Sequence, residues 1–474
     1  MRLALSIGNY KISQFYGINQ SVEESYLPNG YTSDAYNMNT DDGNLSVAGG
    51  FSHHVLRAIP CESNVERCTV FHHKNGDIYL AFSDGHIYVS FGTVWLDAYT
   101  YSQTKKSSDY GFLEAKIGTS DCLLIANGKS NIIKFDGSEF SDFGSEQKLS
   151  DKPVKYLAIY KNRLFCAGDE NHPNRLYWSK LPGDNRSIED WGADESSVNV
   201  EGGHTQVGQF DNDPIVAITA LSSQLLIFKK NSIYRLYGDR PSNFTVEQIE
   251  SVTEYTPHTS VVHYGDVAYF MTSSGMYVFD GVTAHATADS EHIKNVLKKA
   301  DFSFSKGART KEKLFFTAKM DDEDIIIEYN RKRRTYMLRK GFEASDIFSL
   351  GDRLCVVSDK WVCVFDGSES YAGQPINAYW KTPFTDLDEK TVIKQLDELY
   401  LRGDKSKSGT VHITACAGGI RSEYSITLTD NEITHIPLCN EGRCFCLEFS
   451  NENGGSFSLK GGIELIISMR GRCG

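Results

Sequence analysis

No stretch of this chain is long and apolar enough to cross a bilayer. The apolar segment 463–469 falls far short of the roughly 20 residues a spanning helix needs. Basic residues are in deficit, with 49 Lys and Arg against 62 Asp and Glu and a net charge of −13. That excludes the basic footprint of a general nucleic-acid binder. It does not exclude a surface along which DNA slides without sticking, because like charge repels phosphate. The first eight residues hold too short an apolar core for a secretory signal. The 11 cysteines are therefore expected as reduced, buried thiols of a protein made in a cytoplasm.

Catalytic signatures are also missing. No G-x-S-x-G elbow, zincin helix or EF-hand pattern occurs. Asn127-Gly128-Lys129-Ser130 has the end of a P-loop, but Leu123 stands where the upstream glycine belongs, so it reads as a hairpin turn. The 62 acidic residues offer too many pairs to single out a glycosidase couple. No catalytic, cofactor-binding or metal-ligating residue is expected, and no cofactor.

What the chain does have is sheet-forming composition. Aromatics reach 12%, with 25 Tyr and 26 Phe, and there are 40 Gly but only 11 Pro; aromatic residues with frequent glycine turns favour strands over helices. Length alone suggests about three domains, but a propeller absorbs 300 residues in one.

A repeat organises the sequence. Ile133-Lys134-Phe135-Asp136-Gly137, Tyr277-Val278-Phe279-Asp280-Gly281 and Cys363-Val364-Phe365-Asp366-Gly367 close three copies alike, with variants ending at Gly92 and Gly238. Each closes an apolar hairpin. Hairpins begin at 78, 123, 164, 225, 267, 314 and 354, the spacing of four-stranded propeller blades. The expected fold is all-β: a β-propeller of about seven blades, six to eight being possible, followed by a C-terminal β-sandwich. The expected divisions are an N-terminal arm (1–60), ordered but peripheral, the propeller (61–373) and the sandwich (374–474), the last from six or seven short strands. An insertion rich in Gly, Asp, Asn and Ser, 183–208, widens one interval and is the first suspect for a contact or gate. One helix is expected over 290–299, with Ser290 as its N-cap and lysines in the last turn.

Several residue groups invite a chemical reading and have a plainer one. The aspartates Asp136, Asp280 and Asp366 recur at equivalent turns and read as turn-formers. The doublets His53-His54 and His72-His73 lie on strands, where neighbours point to opposite faces. Cys444 and Cys446 share a strand face, with Cys439 and Cys473 nearby, but their spacing is poor for zinc; they read as core thiols. Asp321-Asp322-Glu323-Asp324 would suit calcium but reads as a solvated hairpin tip. Arg331-Lys332-Arg333-Arg334 is the one dense basic cluster, a candidate for DNA phosphates or an acidic partner, and also a plain turn.

The opening, Gly17-Ile18-Asn19-Gln20 through Leu27-Pro28-Asn29-Gly30-Tyr31, Asp34-Ala35-Tyr36-Asn37-Met38 and Asp41-Asp42-Gly43-Asn44-Leu45, resembles the start of many tailed-bacteriophage virion proteins. The run 225–238 is similar to a blade of their propellers. Gly442 to Phe449, Gly462 to Leu465 and Arg470-Gly471-Arg472 are similar to their terminal sandwich strands. The resemblance implies a tail nozzle, or packaged-DNA stabilisation protein, of short-tailed phages. It implies a homo-hexameric ring below the portal and adaptor that retains DNA and opens for ejection. Such a protein is non-enzymatic, has no membrane partner, contacts double-stranded DNA without sequence specificity, and resides in the virion tail after assembly in the host cytoplasm. Its ring lumen would have net negative walls. The rival expectations are a receptor-binding or host-adhesion tail protein and a carbohydrate-acting propeller enzyme.

Overall fold

The computed structural model describes residues 4–144, 153–183, 185–192, 197–208, 213–250, 254–404, 409–428 and 432–471. The chain is all-β, with a β-propeller arrangement. All seven hairpins foreseen from the repeat form as antiparallel pairs. Six blades are each built of four consecutive strands, spanning 67–100, 111–142, 156–206, 215–250, 262–286 and 307–340. A three-stranded meander follows at 346–368, and its fourth strand comes from far upstream: Gly50–His53 pairs antiparallel with Trp361–Ser368.

The central strands of the blades are buried on both faces, so they read as continuous apolar runs. Arg163–Ala167 and Leu225–Lys229 are buried at every position. Their side chains fill the wedges between neighbouring blades. Phe71, Leu80 and Phe82 meet Leu123, Ile125 and Phe135 between the first two blades. Val70, Tyr79 and Ala81 of the first blade meet Cys355, Val357 and Val364 of the last meander, which closes the ring. At about 25 cal/mol per Å², these interfaces supply the burial that no single unit supplies alone.

The turns follow from the repeated aspartates. Asp136 Oδ1 accepts the amides of Ser138 and Glu139 at 2.8 and 3.0 Å, and Asp280 Oδ1 those of Val282 and Thr283, both at 2.9 Å. Asp366 caps Ser368 in the same way at 3.0 Å and also accepts from the Ser52 hydroxyl. The glycine that follows has φ of +95, +103 and +84° respectively, a region that L side chains avoid.

The N-terminal residues differ from expectation: many are buried, and the segment is woven through the fold rather than peripheral. Ala4–Ile12 pairs with the long strand Ser458–Gly471. Ala35–Tyr36 lies between the sixth blade and Tyr379–Lys381, so one nine-stranded sheet runs from blade to C-terminal strands. Phe15 packs edge-on against the fully buried Trp380 at 4.9 Å. Apolar residues had marked this segment weakly because polar turns interrupt them every few positions.

The C-terminal strands fall into two sheets. Ile393–Gly403, Ile433–Pro437, Glu441–Gly442 and Ser458–Gly471 belong to one, Tyr379–Lys381, Thr410–Ala417, Ile420–Thr427 and Phe445–Asn451 to the other. Leu399, Leu465 and Ile467 from the first share an apolar cluster with Ile413, Leu447 and Phe449 from the second. The helix foreseen at 290–299 begins as a 3-10 turn, Ser290–Ile293, and continues as Lys294–Lys299. Ser290 is not its cap. Its hydroxyl instead accepts from the Met276 amide and donates to the Met276 carbonyl, at 3.1 and 2.8 Å, holding the helix on the fifth blade.

Candidate functional site

The first strand of every blade lines the propeller axis, and these strands run in the same direction. Their leading residues therefore meet at one mouth of the channel. Arg67 leads the first blade, Asp109 precedes the second, Lys155 the third, His258 the fifth and Lys306 the sixth, and Asp346 opens the last meander.

These side chains form one ion-paired knot across the axis. Asp109 Oδ1 accepts from His258 Nε2 at 2.8 Å, its other oxygen pairs with Lys155, and Arg67 Nη1 lies 3.7 Å away. Arg67 Nε donates to Asp346 Oδ2 at 3.0 Å and Nη1 to the Tyr110 carbonyl at 3.1 Å. Asp346 is fully buried and also accepts the amides of Cys68 and Ile347. Lys306 donates to the Glu66 and Ser345 carbonyls, with its ammonium 3.8 Å from Asp346.

Charge decides the protonation states. Burial opposes ionisation of Asp109, but the bond from His258 and the charges of Lys155 and Arg67 outweigh it and hold the carboxyl far below its usual range. Burial outweighs the opposing pull of Asp109 and holds His258 below its ordinary value. Burial, with Asp84 nearby, pushes Glu66 up to about 7.

Beyond the knot, the channel opens into a cavity of about 430 Å³ lined by the first strands of the second to fifth blades. Among its described lining residues the one carboxylate is Glu114, and it accepts from His72 Nδ1 at 2.8 Å. A second cavity, about 350 Å³, lies where Gly49 and Gly50 meet the sixth blade and the last meander. Glu328 and Arg339 form a buried pair at its wall, and Lys313 joins them. Burial works against the Glu328 charge, but Arg339 and Lys313 outweigh it and hold the carboxyl at about 2.

The residue groups singled out in the sequence are mostly spent on the fold. Asn127 caps Lys129 and Ser130, both at 2.9 Å, as a hairpin turn. His53 stacks on Trp361 at 3.8 Å, His54 bonds the Tyr79 hydroxyl at 2.6 Å, and His73 tilts against Phe71. The members of each doublet therefore serve different neighbours. Asp321 and Asp322 form the hairpin turn with φ of +52 and +64°, and Asp324 accepts the Ala344 amide.

The basic cluster faces inward as much as outward. Arg331 lies over the Tyr264 ring at 3.8 Å, Arg333 donates to the Asp41 and Phe15 carbonyls, and Arg334 forks onto Asp289. Cys439 and Cys444 are exposed while Cys446 is buried; Cys473 lies outside the described residues. The residue facing Cys446 is Cys416, whose distant position no spacing rule reveals.

The insertion 183–208 is tied down where it is described; residues 184 and 193–196 are not. The guanidinium of Arg163, 1% exposed, donates to the carbonyls of Ser179, Asn199 and Glu201 at 2.5–2.8 Å. Burial lowers its pKa to about 10. Sequence reasoning missed the axial knot altogether, because its members are single charged residues at the starts of separate strands. The one available signal was position: each charge stands just where the apolar run of a blade begins.

No known protein family matches the chain, and no curated protein matches it.

Proposed function

We propose that this protein is a non-enzymatic structural component of a bacteriophage tail, a nozzle subunit that forms a ring with further copies of itself. One observation carries the reading: the residues of the phage-like opening motif clamp the propeller to the C-terminal sheets. The Ile18 amide donates to the Tyr336 carbonyl at 2.9 Å, and a side chain at Gly17 would strike that same carbonyl. Asn37 bonds Lys340 and Asn377, and Asp41 bonds Asn330 and Lys313. Cross-bracing of this kind suits a body that transmits load.

In this reading the composite sheet of 346–368 with Gly50–His53 counts as a seventh blade, and the two C-terminal sheets are the layers of a sandwich. The axial knot stops the propeller's own channel, so DNA passes through a lumen between copies, along walls of net negative charge. The apolar Phe91, Val94 and Leu96 are exposed on the first blade, and the exposed Leu56 joins them, its amide bonded to the Gly92 carbonyl. Such a patch suits a contact with the next copy. The exposed Phe304 favours a second reading, a tail protein that grips a host surface.

Native mass measurement of the purified protein separates the two readings. A six-copy assembly supports the nozzle, whereas a trimer, or a monomer at every concentration, contradicts it.

A further inference from the structure

Three potential ligand atoms converge on the outer face of the nine-stranded sheet. Thr410–Ala417 and Phe445–Asn451 run antiparallel with Cys416 directly opposite Cys446. Glu448 is two residues beyond Cys446 and so points to the same face. The two thiol sulfurs and a carboxylate oxygen of Glu448 all lie within 4.8 Å of one another. Both cysteines are buried.

We propose that Cys416, Cys446 and Glu448 bind one zinc-like divalent cation, with water as the fourth ligand. Distances fit. Zinc bonds of about 2.3 Å to sulfur and 2.1 Å to oxygen set a tetrahedral edge of roughly 3.6 Å between the two ligand atoms. Cys416 Sγ lies 3.7 Å from Glu448 Oε1.

Orientation fits as well. The other oxygen, Oε2, accepts from Arg421 Nη2 at 2.7 Å. The guanidinium therefore fixes the carboxylate so that Oε1 alone is offered, the usual task of an outer partner at a metal site. Charge closes too. Two thiolates, one carboxylate and a divalent ion sum to −1, which Arg421 offsets. Binding converts two thiols to thiolates and releases two protons to solvent.

Soft sulfur ligands with a small coordination number select zinc over calcium or magnesium, which take oxygen. The site bridges the two strands at the far end of the sheet from the sixth blade, so an ion would pin the C-terminal layer. The inference stands apart from the tail reading and holds or fails whichever function is correct.

The test uses the full chain, reduced, loaded with zinc and desalted, with metal counted by mass spectrometry. One zinc per chain is expected. Less than a tenth of that is expected in Cys416→Ser or Cys446→Ser, and no change in Cys439→Ser or Cys444→Ser, which alter the exposed thiols. Arg421→Gln, which removes the outer partner of Glu448, should weaken binding by ten- to a hundredfold. Zinc should also shield Cys416 and Cys446 of the unaltered protein from alkylation, a readout independent of whether the serine variants fold. A reduced protein that takes up no zinc overturns the proposal. So does equal zinc loss in the Cys439 and Cys444 variants, or a Cys416–Cys446 disulfide in protein purified without oxidant.

Discussion

The Tyr371 hydroxyl donates to Asn37 Oδ1 at 2.9 Å, across 334 positions of sequence. Asn37 is 1% exposed with φ of +54°, a left-handed conformation that asparagine tolerates better than most residues. Its amide nitrogen donates to the carbonyls of Lys340 and Asn377, and its oxygen also accepts the Lys340 amide. One side chain thus joins the sixth blade, the strand after the last meander and the start of the C-terminal sheets. Asn37→Ala strands several buried polar groups at once. The expected loss is about 2–4 kcal/mol in chemical denaturation. A loss under 0.5 kcal/mol would show that the clamp is not where stability resides.

The axial knot makes a second prediction. Asp346 is fully buried and accepts from Arg67 and two backbone amides. Asp346→Ala leaves Arg67 without its buried carboxylate, at an expected cost of about 3–5 kcal/mol. Because the pair is shielded from solvent, that cost should change little between low and high salt. A strong salt dependence would place the pair in water instead.

Glu66 gives the knot a pH dependence. Its folded pKa, about 7, stands above the ordinary carboxylate value. The protonated folded form is therefore favoured, and its stabilisation is complete below about pH 4.5 and lost as pH rises through 7. Glu66 is only partly buried, so the contribution is discounted to about 1–2 kcal/mol. Glu66→Gln should be more stable than the parent at pH 8 and equal to it at pH 4.5. Thermal melts at the two pH values check this; the same difference at both would contradict it.

Arg163 anchors the insertion 183–208 through the backbone carbonyls of Asn199 and Glu201 and ties them to that of Ser179, just before it. Arg163→Met keeps bulk and removes the donors. Limited proteolysis should then cut within 183–208 at least tenfold faster than in the parent, with the rest of the chain still resistant. Unchanged cleavage would mean that other contacts hold the insertion.

The blades were legible because their central strands are buried on both faces, and such strands appear as unbroken apolar runs such as Leu225-Leu226-Ile227-Phe228. The aspartate turns were legible because Phe-Asp-Gly pairs an amide acceptor with a residue free to take positive φ. The role of residues 4–60 was not. Gly17, Asn37 and Asp41 act through partners about 270 or more positions away, and local patterns carry no trace of such pairing. For the same reason the cluster at 331–334 reads in sequence only as a turn or as a candidate for phosphates or an acidic partner, whereas Arg333 and Arg334 serve Phe15, Asp41 and Asp289. Cys416 escaped notice because only strand register brings it to Cys446.

The apolar patch on the first blade is the proposed subunit contact. Leu96→Asp with Phe91→Asp places two charges there without touching a buried residue. Sedimentation should show the assembly dissociating into folded monomers. An intact assembly would move the contact elsewhere.

Electron cryomicroscopy of the purified assembly tests the central claim most directly. The account predicts six copies around a lumen whose walls are predominantly acidic, with each propeller's own axis closed by Arg67, Asp109 and His258. A trimer, a lone monomer, or a lumen lined densely by Lys and Arg would contradict it.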